Sequence, residues 1–249
     1  MKQFFYSIPR VLFVNLYKVL IRIRIININK TEIKGPAIFA INHITGADPI
    51  FILAAFKKRV IFMADSDDFK SVFTNFFMRR FADSIPVFKG QIAKNVKSLK
   101  EMLKLRLARN EFLGIFPEGQ LNKERILEKF HEGTAYFSFK TKLPIIPIYL
   151  HNVRGPNPKR WWGRHKVAEG VFALVLNSFR KIHIFIGNPI DPAAENILTD
   201  FQEISNNDSY KSIIRNINKA LFEEFLSLAD TADNFSLNID GKLKELKRP

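Results

Sequence analysis

A histidine and an aspartate stand five residues apart in this chain, where an apolar run gives way to polar residues. The run covers residues 37–41, and His43 and Asp48 follow it. If Asp48 accepts a hydrogen bond from one imidazole nitrogen of His43, the other nitrogen is left to act as a general base. Five residues of continuous helix would place the two side chains about 140° apart. The pair can therefore meet only if the chain bends between them, and Gly46 allows such a bend.

The same residues also fit a purely structural interpretation. Asp48 is a favourable N-cap residue, and Pro49 suits the first position of a helix. Residues 50–56 would then continue as an ordinary buried helix. The spacing alone leaves both interpretations open.

A second polar group follows another apolar run. The run covers residues 112–116 and ends at Pro117-Glu118-Gly119. Open α/β sheets concentrate their chemistry at strand ends. We predict that Glu118 is held on a rigid turn with its carboxylate pointing outward, and the alternative is an ordinary β-turn with a solvated glutamate.

Short apolar runs alternate with helical patterns along the chain. The predicted strands are 22–28, 37–41, 60–63, 85–88, 112–116, 143–150 and 181–186. Helices are predicted over 69–81, 93–108 and 133–142. Two further helices are predicted to begin at Pro49 and at Asp208 or Ser209. Residues 167–179 fit either a helix or a strand. Pro144 and Pro147 favour an edge or end position for their strand. The alternation predicts an α/β fold with a largely parallel sheet flanked by helices.

The composition favours an anionic, lipid-like partner. The 249 residues carry 39 Lys and Arg against 24 Asp and Glu, a net charge of +15, so nucleic acid, a phosphorylated ligand or an anionic bilayer would be attracted. The 25 phenylalanines and 47% hydrophobic content favour lipid over nucleic acid. The chain has no cysteine, which excludes disulfides, thiolate metal sites and cysteine nucleophiles.

The N-terminal segment is apolar but interrupted by charge. Residues 4–21 contain Arg10 and Lys18, and Arg22 and Arg24 follow. We predict a segment that lies in a membrane interface, and the alternative is a helix packed on the core. The loop containing Trp161 and Trp162 among cations has the same two interpretations, an interfacial anchor or a loop folded back on the domain.

The patterns set apart the two ends of the chain. We predict a membrane-associating segment and first strand over 1–30 and a C-terminal helical extension with a basic tail over 193–249.

Four sequence blocks, taken in order, resemble the glycerolipid acyltransferase family of the lysophosphatidic acid acyltransferase type. The blocks are Asn42-His43-x4-Asp48-Pro49, Ile85-Pro86-Val87-Phe88-Lys89, Phe116-Pro117-Glu118-Gly119 and Leu143-Pro144-Ile145-Ile146-Pro147-Ile148. Phe130-x2-Gly133 and the run from Ile186 to Asp191 look like further family landmarks. The resemblance covers roughly residues 31–192 and implies that they form the acyltransferase core. The ordered set is much more specific than any one block.

The resemblance implies transfer of a fatty acyl group from acyl-CoA or acyl carrier protein to the free hydroxyl of lysophosphatidic acid. His43 would be the general base and Asp48 its partner. Glu118, Gly119 and Gln120 would bind the acceptor, with Lys89 at its phosphate. We expect no cofactor, no metal and no nucleic-acid partner, and a protein associated with an anionic membrane surface at its cytoplasmic face.

The chain departs from the family pattern at two positions. Lys89 stands where arginine is usual, which keeps the charge but loses bidentate phosphate binding. Leu121 and Asn122 follow Gln120 where the family often has an arginine, unless Lys123 or Arg125 supplies that contact. A different lysolipid or another hydroxylated membrane acceptor therefore remains open, as does a non-catalytic basic protein that binds membranes by charge.

Overall fold

Seven strands and six helices make up the described part of the chain. The computed structural model describes residues 2–32, 35–57, 59–70, 72–80, 84–88, 111–122, 127, 129–157, 159–160, 166–194, 197 and 206–245. The strands are β1 (Arg22–Ile26), β2 (Ile38–Ile41), β3 (Val60–Asp65), β4 (Ser84–Val87), β5 (Phe112–Ile115), β6 (Ile145–His151) and β7 (Lys181–Ile186). The helices are α1 (Lys2–Leu20), α2 (Asp48–Ala55), α3 (Val72–Arg80), α4 (Gly133–Thr141), α5 (Lys166–Asn177) and α6 (Asn206–Glu245).

All seven strands belong to one sheet, in the order β1-β7-β6-β2-β5-β3-β4. Neighbouring strands run parallel except for β6 and β7, which are antiparallel. The predicted α/β fold with a largely parallel sheet is confirmed. The predicted helix over 93–108 lies outside the described residues, and 167–179 proves to be helical as α5.

Both faces of the sheet are buried at its centre, which is why β2 and β5 are continuous apolar runs. Side chains alternate along β2, so Phe39 and Ile41 join one core while Ile38 and Ala40 join the other. Helices α1, α2 and α5 cover the first face, and α4 and α6 cover the second. Strand β2 lies between β6 and β5, so its carboxyl end is at the middle of the sheet edge.

Strand β6 lies inside the sheet, between β7 and β2, so the predicted edge or end position was wrong. Pro144 precedes the strand, and Pro147 lies where regular pairing with β7 ends. Beyond that point the contact is a single bridge between Ile145 and Ile190. The N–H that Pro147 lacks would face this interruption, while its carbonyl still accepts from the Gly187 N–H at 2.9 Å.

Helix α1 has one face on the core and one apolar face exposed. Val14 and Tyr17 are buried, and the Tyr17 hydroxyl donates to the Leu174 carbonyl of α5 at 2.8 Å. Burial raises the pKa of Tyr17 to about 12, so this hydroxyl keeps its proton. Leu16 and Val19 are exposed on the opposite face. Among the described residues, no helix combines the length and apolar character that crossing a bilayer requires.

A row of basic side chains crosses three strands beneath α6. Arg24 pairs with His183, and His183 pairs with His151, whose Nε2 lies 2.7 Å from the Ser236 hydroxyl of α6. Phe235 covers the row, with its ring 5.0 Å from that of His183. Burial lowers the pKa of His183, and nearby His151, Arg24 and Lys181 lower it further.

We expect the protein to lose stability as the pH falls below about 6.5, the pKa of an unfolded histidine. The lowered pKa means that His183 stabilises the fold while neutral, and this contribution disappears as the pH falls through its folded-state pKa. His183→Phe keeps an aromatic ring but has no titratable group, so its melting temperature should fall less than that of the wild type between pH 7.5 and 5.5. His131→Gln, which changes an exposed histidine, should retain the wild-type pH dependence. Equal slopes for the wild type and His183→Phe would contradict this prediction.

Candidate active site

The loop that contains His43 is anchored to β6 by Asn42. The Asn42 amide donates to the Leu150 carbonyl at 3.1 Å, and the Leu150 N–H donates to Asn42 Oδ1 at 2.6 Å. The side chain thus extends the β2–β6 ladder by one step after β2 ends. Asn42 was not predicted as a separate site residue, although an amide side chain directly after a buried strand is a usable signal.

His43 and Asp48 meet, because the chain turns between them. His43 Nδ1 lies 3.0 Å from Asp48 Oδ2. The Asp48 side chain is fully buried, whereas that of His43 is 19% exposed. With an ionised carboxylate as its partner, Nδ1 carries the proton, and Nε2 is the nitrogen that can accept one.

The Asp48 carboxylate also organises the turn that precedes it. Oδ2 accepts from the backbone N–H groups of Ile44 at 2.6 Å and Thr45 at 2.9 Å, and Oδ1 accepts from the Thr45 hydroxyl at 2.8 Å. The N-cap position of α2 is Ala47, and Asp48 is the first helical residue. The capping interpretation of Asp48 was therefore wrong, because the carboxylate points back into the loop instead of toward the helix.

Glu118 points inward, toward the backbone of His43. Its Oε1 accepts from the His43 N–H at 3.0 Å, and Asn122 N–H donates to the His43 carbonyl at 2.6 Å. The predicted outward orientation was wrong, as was the solvated alternative, because the carboxylate is buried. Burial raises the pKa of Glu118, while hydrogen bonds from the His43 N–H and the Asn122 side chain oppose this rise. Because β2 and β5 are adjacent in the sheet, the polar residues that follow them, His43 and Glu118, lie together.

The imidazole of His43 is stacked on an aromatic ring from the β5 end. The His43 and Phe116 rings are 4.0 Å apart and nearly parallel, and Phe116 stacks in turn near Phe62. Gly114 makes room for this arrangement, because a Cβ there would lie 2.6 Å from the Phe62 ring. The ring plane of His43 is set by Phe116 and its hydrogen-bonding direction by Asp48.

Gly119 adopts a backbone conformation that suits glycine. Its φ is +66°, and a Cβ would lie 2.8 Å from His131 Cδ2. Gly119→Ala should lower the free energy of unfolding by roughly 1–2 kcal/mol from the left-handed backbone alone. The double variant Gly119→Ala/His131→Ala should keep that loss, since it removes only the contact. Chemical denaturation measures the free energy of unfolding of the single and the double variant. Gly133→Ala is the control, because Gly133 lies in a helix with open space around it. A Gly119→Ala variant as stable as Gly133→Ala would contradict the assignment.

Gly46 lies against α5, which supplies a contact that the sequence did not reveal. The buried Glu169 accepts from the Gly46 N–H through Oε2 at 2.6 Å. A Cβ on Gly170 would lie 3.5 Å from the Gly46 carbonyl group. The described glycines with positive φ are Gly35 and Gly119, so Gly46 does not turn the chain by a left-handed conformation. A contact spanning 123 residues leaves no local sequence signal.

Of the other residues predicted to bind the acceptor, the structure describes Gly119 and Gln120. Gly119 and Gln120 are exposed beside Glu118. Lys89, Lys123 and Arg125 lie outside the described residues, as do Trp161 and Trp162. Within the part of the chain that the structure describes, no group of three or more histidine and acidic side chains is placed to hold a metal ion.

The fold and this geometry define a class of protein. A partly exposed histidine, oriented by a buried carboxylate at the carboxyl end of a central parallel strand, is an arrangement suited to general-base chemistry in an α/β enzyme.

Comparison with known proteins assigns the family. The acyltransferase family model matches residues 22–151, which includes His43, Asp48 and Glu118, and the chain belongs to this acyltransferase family. The resemblance found in the sequence blocks is thereby confirmed.

Individual relatives are similar over part of their length. The chain is 26% identical over 125 residues to the 1-acyl-sn-glycerol-3-phosphate acyltransferase of Borreliella burgdorferi, covering 48% of this chain and 47% of the relative. It is 26% identical over 115 residues to the enzyme of the same name from Cocos nucifera, covering 46% and 37%. The chain thus spans less than half the length of these relatives.

A solved structure shares the fold. The crystal structure of the 1-acyl-sn-glycerophosphate (LPA) acyltransferase PlsC from Thermotoga maritima aligns with a TM-score of 0.50 at 17% identity, covering 86% of this chain and 81% of that one.

Proposed function

We propose that this protein transfers a fatty acyl group from acyl-CoA or acyl carrier protein to the free hydroxyl of lysophosphatidic acid, giving phosphatidic acid. The observation that carries the proposal is the contact of 3.0 Å between His43 Nδ1 and the buried Asp48 carboxylate. Membership of the acyltransferase family and the names of its relatives support the choice of reaction.

The pair would act on the acceptor alcohol, which is too weakly acidic to attack a thioester unaided. His43 Nε2 takes the proton as the alcohol oxygen bonds to the thioester carbonyl carbon. The resulting tetrahedral intermediate collapses with cleavage of the carbon–sulfur bond, and the imidazolium returns the proton to the leaving thiolate. Asp48 stabilises the imidazolium between these steps, as in a serine-protease triad. The substrate hydroxyl replaces the serine, so no acyl-enzyme is required.

Glu118 and Asn122 would hold the base in position. They bind the backbone N–H and carbonyl of His43, and so they fix the residue on both sides. The exposed Gly119 and Gln120 beside them would meet the glycerol portion of the acceptor, and Lys89 would meet its phosphate. The exposed face of α1 would keep this edge of the sheet at the membrane surface where the acceptor resides.

A second candidate keeps the chemistry and changes the acceptor. Asn122 is engaged with His43 and Glu118, at a place where the family often has a phosphate-binding arginine nearby. A lysophospholipid with a substituted phosphate, or another hydroxylated membrane acceptor, would need fewer cations than a phosphomonoester.

An acceptor panel tests the proposal and separates it from the alternatives. Thiol release would be measured with acyl-CoA and acyl carrier protein as donors and lysophosphatidic acid, lysophosphatidylcholine or monoacylglycerol as acceptor. Turnover that requires lysophosphatidic acid is the expected result. Turnover only with another acceptor would contradict lysophosphatidic acid as the substrate but support the acyl-transfer reaction. No turnover in any combination would favour a non-catalytic membrane-binding protein.

A further inference from the structure

Exposed apolar side chains are concentrated on two neighbouring helices. Of fourteen large hydrophobic residues that are exposed in the described structure, nine lie on α1, on α5 or directly after α5. They are Val11, Leu12, Leu16, Val19, Val171, Phe172, Val175, Leu176 and Phe179. We call this set the α1–α5 surface.

Helix α5 buries two polar side chains, together with Ala173 and Leu174, and exposes a row of apolar ones. Its acidic residue, Glu169, is buried against Gly46, and Asn177 is buried with its amide bonded to the backbone carbonyls of Arg154 and Ala173. Between these two positions, the exposed side chains are valines, phenylalanine and leucine. A helix facing water normally shows the opposite distribution. The outer face of α5 is therefore suited to an apolar environment.

Phe179 has an unusual backbone conformation for an exposed aromatic residue, which supports the same conclusion. It follows α5 in the left-handed region, with φ of +66°, and its side chain is 70% exposed. Glycine or asparagine would suit this position better and would expose no aromatic ring. A bulky residue at positive φ is uncommon and points to a functional constraint.

The two helices form one surface because their ends are joined. The Phe179 N–H donates to the Leu20 carbonyl at the end of α1 at 2.8 Å, and the Arg22 N–H donates to the Arg180 carbonyl at 3.3 Å. Together with the bond from Tyr17 to Leu174, these contacts hold α1 and α5 side by side. Their exposed apolar residues lie opposite their buried ones, on the same side of the sheet.

The charges around this surface identify its partner. The exposed cations Lys18, Arg22 and Lys181 lie at the carboxyl ends of α1 and α5 or just beyond them. The sequence of α1 contains no acidic residue, and the acidic residue of α5 is buried. An apolar surface with a basic end fits a bilayer that contains anionic lipid.

We propose that the α1–α5 surface docks onto an anionic lipid bilayer, with α5 and Phe179 as a second membrane contact beside the N-terminal helix. The inference rests on the proposed function in that the lipid acceptor would be reached from this bilayer. The inner face of α5 binds the His43–Asp48 loop through Glu169, so docking would place that loop at a fixed height above the membrane.

Vesicle flotation with matched variants tests the proposal. The vesicles would be phosphatidylcholine alone or phosphatidylcholine with phosphatidylglycerol. Leu176→Gln/Phe179→Asn is expected to lower partitioning to anionic vesicles by at least about tenfold, since a leucine and a phenylalanine leave the bilayer. Leu226→Gln on α6 is the matched control, since Leu226 is 47% exposed and Leu176 44%. Wild-type binding should be weaker on neutral vesicles and fall with added salt.

Three results would overturn the inference. The double variant and Leu226→Gln could bind vesicles equally well, or the wild type could fail to bind either vesicle. Alternatively, sedimentation could show a dimer that the double variant loses, which would assign the surface to a second copy of the chain. Melting temperatures equal to the wild type establish that each variant is folded.

Binding and catalysis remain separable in this design. Turnover of a short-chain acceptor dispersed in water should be retained by Leu176→Gln/Phe179→Asn, because neither residue contacts the His43 loop in the proposed mechanism. Vesicle binding that depends on Leu176 and Phe179, with no turnover by the wild type, would uphold the surface and reject the proposed function.

Discussion

The His43→Ala variant is expected to lose acyl transfer by about 10²–10⁴-fold in kcat, the range for removal of a general base. The substitution removes the one ring nitrogen that faces away from Asp48 at this site. It also removes the ring that stacks on Phe116, and it leaves the backbone contacts of residue 43 with Glu118 and Asn122 in place. Initial rates of thiol release at saturating donor and acceptor measure the effect.

The matched control for this prediction is His131→Ala. His131 is an exposed histidine next to Gly119, and the proposed mechanism gives it no proton to move. Its kcat should stay within a few-fold of the wild type. Vesicle binding should be unchanged in both variants. A His43→Ala protein that is folded and turns over at the wild-type rate would exclude His43 as the base.

The Asp48→Asn variant is expected to lose activity by a similar factor, up to about 10⁴-fold, while remaining folded. An asparagine oxygen in the place of Oδ2 can still accept from His43, Ile44 and Thr45. It brings no negative charge to stabilise the imidazolium that forms as the alcohol attacks. The kcat should therefore fall by a larger factor than the KM for the acceptor changes. The melting temperature should change little.

Asp48→Ala separates the structural part of this role from the electrostatic part. It leaves buried N–H groups at Ile44 and Thr45 without their acceptor, and each loss costs about 1–3 kcal/mol. We expect this variant to be clearly less stable than Asp48→Asn in chemical denaturation. Wild-type activity in Asp48→Asn would show that the carboxylate only holds the loop.

Most of the fold was predictable because its central strands are buried on both faces. The predicted runs match all seven strands to within a few residues, since a strand such as β2 is apolar at every position. The position of β6 was not predictable from its prolines. Their effect depends on where the pairing with β7 stops, which is a property of the assembled sheet.

The candidate site was predictable where its contacts are local or its motif is specific. The spacing of His43 and Asp48 allowed their contact without deciding between it and a helix cap, whereas the ordered blocks indicated the family. The orientation of Glu118 was not predictable, because its acceptor role depends on β2 and β5 being neighbours. The contact of Glu169 with Gly46 was missed for the same reason, since a single glutamate in an apolar helix carries no local signal.

The most direct test of the central claim is thiol release from an acyl thioester in the presence of lysophosphatidic acid, with mass-spectrometric detection of phosphatidic acid. The proposed chemistry predicts equal amounts of thiol and phosphatidic acid from the wild type, and almost none of either from a folded His43→Ala protein. Phosphatidic acid formed at the same rate by both proteins would contradict the assignment of His43 and Asp48 as the catalytic pair.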